Sequence, residues 1–242
     1  MGPSKNAVCN PSKVSTRCSR AYGHSMKLVS NSRAFAPLLR YFVGDAKFTI
    51  VSNNCWGAHI YQALRMEYQT PFVGLFIPPK SYLDLLRRFD YFIRADLSFT
   101  NKSGVASVNI WRDREGLNYP IGLLGGQVEV HFQHYTGEEE ARSKWQRRCQ
   151  RISLDPRRWF FKFDDREGAT VNDIREFCSL PLANKVCFTR RASSLSTIVI
   201  PGEPGDTQVC DGVALSRISH HYFNTLRWVS TRPTQIPLPS LL

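Results

Sequence analysis

The 242-residue sequence predicts an α/β fold: a largely parallel sheet with helices on both faces, in a single compact domain over residues 45–232. Three observations carry this. Short runs of β-branched and aromatic residues alternate with stretches of helical apolar period; one such run passes directly into a helix across Ser52–Gln62 (SNNCWGAHIYQ); and the run WFFKF delivers two acids and then a capped helix before the next run, KVCFT. No repeat of fixed period interrupts the alternation.

In chain order, KFTIVS around Phe48 and Ile50 reads as a short buried strand, and Trp56 to Met66 as the helix that follows it. PFVGLFIPP supplies a fully buried strand over Phe72–Ile77, with the Pro pair opening a helix. Tyr82, Leu85, Leu86, Phe89, Phe92 and Ile93 form its apolar stripe. SFTNKSG reads as a turn and VASVNIW, Val105–Trp111, as an alternating strand. Gly125-Gly126 breaks the chain before a strand over Val128–Phe132. Thr136 and Glu139 form a capping box for a helix to about Ile152, acidic at its start and basic at its end. Trp159–Phe163 is the next buried strand; Thr170 caps a helix through Cys178; Lys185–Thr189 and Ser196–Ile200 are strands; the last helix runs from His220 to Val229.

Hydrophobic residues make up 42% and aromatics 12% of the chain, enough for a sizeable core. The net charge of +12 is unevenly spread, with eight Lys or Arg against one acid, Asp45, in residues 1–50. A modestly basic body with a basic tail, lacking any helix-turn-helix, zinc-finger or aromatic RNA-binding signature, argues against a nucleic-acid partner. Seven Cys without a CxxC pair argue against a zinc ribbon and a disulfide framework, and for reduced thiols in the cytoplasm. No window approaches the roughly 18 apolar residues of a membrane span. Residues 1–44 lack the composition of a core: they read as a basic disordered tail, an organellar transit peptide, or a segment before a true start at Met26, the last being favoured because Ala34–Phe42 carries the first helical pattern. Residues 233–242 are a Pro-rich tail.

In α/β sheets ligands bind beyond the carboxyl ends of strands, where SNNCWG and DDREG both fall. The first puts Cys55 at a helix N-terminus, where unpaired N–H groups and the macrodipole favour a thiolate with a pKa lowered toward roughly 7. His59, one turn on, or His131 is the candidate base, oriented by Asp164 or Asp165. Asn53, Asn54 and the Gly57 amide are candidate oxyanion donors, and Trp56 a candidate sugar-stacking group. The plainer alternatives are a small buried thiol, a core indole and turn Asn residues. In the second group Asp164 and Asp165 could ligate a divalent metal on a diphosphate, with Arg166 neutralising the leaving group, or Asp164 could pair with Arg166 or cap the next helix. The spacing of His131 and His134 fits a turn better than a metal pair.

The stretches SNNCWGAHIYQ, TPFVGLFIPP, YPIGLLGGQVEVHFQHY, EEEARSKWQRR, FFKFDDREGAT and LPLANKVCFT, in this order between Lys47 and Thr189, resemble a bacterial family of exopolysaccharide biosynthesis proteins built on a domain of unknown function. The resemblance implies a role in making or decorating surface polysaccharide; the partners expected are a sugar or polysaccharide substrate and an activated donor, with a peripheral place at the inner membrane suited to the basic charge. The reaction expected first is acyl-type group transfer by Cys55 from a coenzyme A thioester. The alternatives are a metal-dependent glycosyltransferase using a nucleotide-sugar, and a non-catalytic polysaccharide-binding or assembly protein stacking sugars on Trp56, Trp111 or Trp145.

Overall fold

The computed structural model describes residues 37, 40, 41, 43, 44 and 47–230. Most of the tail expected over residues 1–44, the start at Met26 and the Pro-rich end over 233–242 lie outside the described residues. The elements are, in order, β1 (Thr49–Ser52), α1 (Trp56–Ala63), α2 (Pro79–Arg87), α3 (Phe89–Phe92), β2 (Leu97–Thr100), α4 (Ala106–Glu115), β3 (Ile121–Leu124) and β4 (Val128–His131). Then follow α5 (Glu138–Cys149), a 3-10 turn (Pro156–Arg158), β5 (Trp159–Asp164), α6 (Val171–Ser179), β6 (Lys185–Thr189) and β7 (Ile198–Val199). α7 (Gly212–Ile218), a second 3-10 turn (Ser219–His221) and α8 (Thr225–Val229) complete it.

Four strands form a sheet in the order β1-β5-β6-β7, and every neighbouring pair is parallel. Side chains alternate across a strand, so each strand serves two cores. Ile50, Phe160, Val186 and Phe188 face one way, onto Trp56 and Ile60 of α1, Leu215 of α7 and Leu226 of α8. Val51, Phe161, Phe163 and Cys187 face the other, onto Tyr82 and Leu85 of α2 and Phe177 of α6. Helices therefore cover both faces. Tyr82 ties α2 to the sheet by donating its hydroxyl to the carbonyls of Val51 and Lys162, at 2.8 and 2.9 Å.

Three further strands form an antiparallel sheet, β2-β3-β4, whose Leu97, Leu124 and Val130 join the second core. Its hairpin turns at Gly125 and Gly126, with φ of 56° and 70°; both central positions of the turn need φ above zero, which glycine adopts without strain. β2 takes in the first three residues, 98–100, of SFTNKSG, where the sequence reads as a turn.

Several elements differ from the sequence reading. Phe72–Ile77 is a buried loop rather than a strand: Gly74 takes φ 71°, and only Phe76 makes a β-bridge, to His131. Val105–Trp111 is not a strand. Ala106–Glu115 is helical because Val108 and Trp111, three apart, pack together against Phe76 and Tyr119, and Gly116 closes the helix with φ 62°. The helix after the Pro pair breaks at Arg88 (φ −136°, ψ 45°), dividing α2 from α3. The capping interaction at α5 is shifted by one residue, with Glu140 in place of Glu139 accepting from the Thr136 N–H and hydroxyl at 2.7 and 2.8 Å. The C-terminal region holds two short helices and a 3-10 turn instead of one helix.

Candidate functional site

Ser52, Asn53 and Asn54 carry the chain off the carboxyl end of β1, and Cys55 is the N-cap of α1. α1 lies hard against β1 because Gly57 has no side chain; a Cβ there would come within 2.8 Å of the Ile50 Cγ2. α7 closes on the junction in the same way, since a Cβ on Gly212 would meet Asn54 Oδ1 at 2.8 Å. Trp56 is fully buried, donates its indole N–H to Ser219 Oγ at 3.0 Å and leans on Phe188 and Trp228. It is a core side chain, with no face left for a sugar.

Lys162 and Asp164 lie two apart on β5, so both point to the α1 face, and both are completely buried. Their hydrogen bonding closes on itself. Asp164 Oδ1 accepts from Asn53 Nδ2 at 2.9 Å and from the Arg166 N–H at 3.3 Å; Oδ2 accepts from Asn54 Nδ2 at 2.8 Å and from Lys162. The Lys162 ammonium also donates to Asn53 Oδ1 and Asn54 Oδ1, at 3.2 and 3.0 Å. Burial alone would raise the Asp164 pKa, but the Lys162 charge and the two amide hydrogen bonds outweigh it and hold the carboxyl below its ordinary range. This network fixes the Asn53-Asn54 turn from behind. It uses the groups that the sequence offers to a substrate, an oxyanion or a metal.

Asp165 points elsewhere. Its oxygens accept from the backbone N–H groups of Arg190 (2.6 Å) and Val209 (2.8 Å), tying together the loops after β6 and before α7. The two adjacent carboxylates thus part, and among the described residues no cluster of three or more His, Cys, Asp or Glu is arranged around a metal position. Arg166 donates to the Val209 carbonyl at 2.9 Å and pairs with Glu167 at 3.5 Å.

The half-buried Cys55 thiol points toward the Phe72–Ile77 loop, with the Leu75 carbonyl 3.9 Å away and the Gly74 N–H hydrogen-bonded to the sulfur. Its pKa is raised, not lowered: burial dominates, the Glu167 carboxylate adds to it, and Lys162 and the Gly74 amide offset only part. The thiol is therefore protonated at rest. Glu167 has φ 58°, a left-handed conformation uncommon outside glycine, and its own pKa is pushed up by burial and then by Asp164, against the pull of Arg166. His59, on the next turn of α1, hydrogen-bonds Gln62; burial lowers its pKa, and the charges it feels include Arg217, Asp211 and His134.

His131 belongs to a separate network, oriented by Glu129 rather than by Asp164 or Asp165. Burial lowers the His131 pKa and keeps the ring neutral, while hydrogen bonds from His131, Ser103 and the Gly104 N–H overcome burial and keep Glu129 ionised. Nε2–H then donates to Glu129, and Nδ1 accepts from the Tyr119 hydroxyl at 3.2 Å. Phe76 stacks on the imidazole at 4.2 Å, so one loop backs both this network and Cys55. Burial raises the Tyr119 pKa and Arg112 opposes it, with Glu167 and Glu129 raising it further. Glu167 is the group whose field reaches both Cys55 and Tyr119.

Glu167, Lys162, Glu129 and Tyr119 go unremarked in the sequence reading, although two of them leave a signal. A lysine inside the buried run WFFKFD needs a counter-charge, and period two names Asp164. Glu129 and His131 stand in the same relation on β4. Glu167 leaves none, because its backbone conformation is not written in the sequence.

A family model described as a domain of unknown function (DUF1919) matches residues 31–230. An uncharacterized protein of Haemophilus influenzae is 38% identical over 145 residues, which is 59% of this chain and 62% of that relative. The match therefore spans less than two thirds of the relative's length. With the family model covering both strands that build the junction and every residue described around it, the chain belongs to the DUF1919 family.

Proposed function

We propose that this chain is an acyl-type group transferase of exopolysaccharide or capsule biosynthesis, with Cys55 as the attacking thiol and Glu167 as its proton acceptor. One observation carries the reading: a protonated thiol at a strand–turn–helix junction lies in the field of a carboxyl group with a raised pKa and a strained backbone. As Cys55 Sγ bonds to the carbonyl carbon of a coenzyme A thioester, its proton passes to Glu167, and coenzyme A departs as the old C–S bond breaks, taking that proton from Glu167. A sugar hydroxyl then displaces the sulfur, giving an ester, and its own proton restores the Cys55 thiol. The Gly74 N–H supports the developing charge near the sulfur. Surface polysaccharide as the acceptor rests on the resemblance of the motifs between Lys47 and Thr189.

Metal-dependent glycosyl transfer has less behind it, because the Asp164 and Asp165 oxygens are engaged in different directions. A purely sugar-binding role has Trp111, partly exposed, to draw on, while Trp56 and Trp145 are buried.

The test is intact-mass analysis and turnover of the full chain with acetyl-CoA and sugar acceptors. The expected result is an acyl adduct mapped to Cys55, with Cys55→Ala losing adduct and turnover by at least about 100-fold. Activity should fall as pH drops through the raised Glu167 pKa, and Glu167→Gln should abolish that acid limb. Wild-type rates in both Cys55→Ala and Cys55→Ser would discard the reading.

A further inference from the structure

Cys178, in the last turn of α6, lies against the face of β6 that carries Lys185 and Cys187, two residues apart. Lys185 marks that contact by donating its ammonium to the carbonyls of Cys178 and Leu180. Cys178 packs against the core to which Cys187 belongs, with the Cys187 thiol as its hydrogen-bonding neighbour, and Cys178 S–H donates to the Ser196 carbonyl at 3.7 Å. Cys187 is 2% exposed, whereas Cys178 is half-buried and open to a small reagent. We propose that Cys178 and Cys187 are a peroxide-responsive dithiol, in which the outer thiol is oxidised first and the inner one then closes a disulfide fastening α6 to β6.

The chemistry of the two sulfurs differs in the required sense. The hydrogen bond from Cys187 and the Lys185 charge, against burial, bring Cys178 down to about 7, while the bond to Cys178 and burial raise Cys187. By contrast, burial pushes the Cys149 thiol up to about 12 and raises Cys55 as well. Cys178 therefore carries more thiolate at neutral pH than the few per cent of an ordinary thiol. The thiolate attacks one oxygen of hydrogen peroxide; the O–O bond breaks, hydroxide leaves, and Cys178 becomes a sulfenic acid. Cys187 Sγ then bonds to that sulfur, and its proton leaves with the displaced hydroxide as water. Two thiols give up two electrons, and peroxide takes them.

The experiment treats the full chain with stoichiometric hydrogen peroxide at pH 7, counts free thiols, and maps unreduced peptides. A Cys178–Cys187 link that forms first and is reversed by dithiothreitol is the expected result. Cys178→Ser should abolish the link and slow peroxide consumption about tenfold. In Cys187→Ser, or Cys187→Ala if the serine variant fails to fold, a dimedone-trappable sulfenic acid should persist at Cys178. Linkage involving Cys55, Cys149 or Cys210 at the same rate, or direct passage of wild-type Cys178 to sulfinic acid, would overturn the proposal.

Discussion

Lys162 and Asp164 show what a single residue pair does when water is excluded. A surface pair contributes about 0–1 kcal/mol, but removing one partner of a buried pair leaves an uncompensated charge and costs about 3–5 kcal/mol. Asp164→Asn keeps the shape of the side chain and removes the counter-charge from a fully buried ammonium. Urea unfolding should show a loss in that upper range; a loss under about 1 kcal/mol would mean that the lysine escapes to solvent. The pH dependence has a definite sign. The folded Asp164 pKa lies below the ordinary 3.8, so its stabilisation is complete above that value and is lost as pH falls through the lower folded pKa. Cys55 makes the opposite point. Its place at the start of α1 favours a thiolate, yet burial and Glu167 prevail, because a helix end acts over one turn and desolvation acts on the whole charge.

Secondary structure was legible where local chemistry was strong. Thr170 and Asp173 make the capping box that opens α6, and WFFKFD and KVCFT are strands because each alternates between two apolar cores. VASVNIW was not legible: its apolar residues satisfy a two-residue period and a three-residue period alike, and the contacts of Val108 and Trp111 with Phe76 and Tyr119 decide for the helix. α1 offers a test at this scale. Alanine in place of a helical glycine ordinarily gains about 1 kcal/mol, but overpacking costs about 1–3 kcal/mol. A methyl group at position 57 would lie only 2.8 Å from Ile50 Cγ2, so Gly57→Ala should lower the melting temperature. A rise would show that α1 can slide off β1.

The whole molecule is organised by one parallel sheet that both cores share, so neither core can open without removing the wall of the other. Trp56 and Trp228 report on one face, Trp145 and Trp159 on the opposite one. Variants retaining only Trp56 or only Trp145 should unfold at the same urea concentration, coincident with far-UV circular dichroism. Separate transitions would mean that the antiparallel sheet and α5 unfold on their own.

The α/β class, the strand–turn–helix at Cys55, the buried β5 and β6 and the cap of α6 follow from the amino-acid order alone. Period, capping and burial are properties of neighbours along the chain, and a few residues suffice to express them. Which polar groups meet was settled by the packing of the elements. That packing turned Asp164 inward to Lys162 and Asp165 outward to two loops, gave His131 to Glu129 instead, and set the Cys55 thiol in the field of Glu167. Several of these partners stand on elements remote from one another in sequence, and a buried charge accepts whichever partner the packing of distant elements delivers to it.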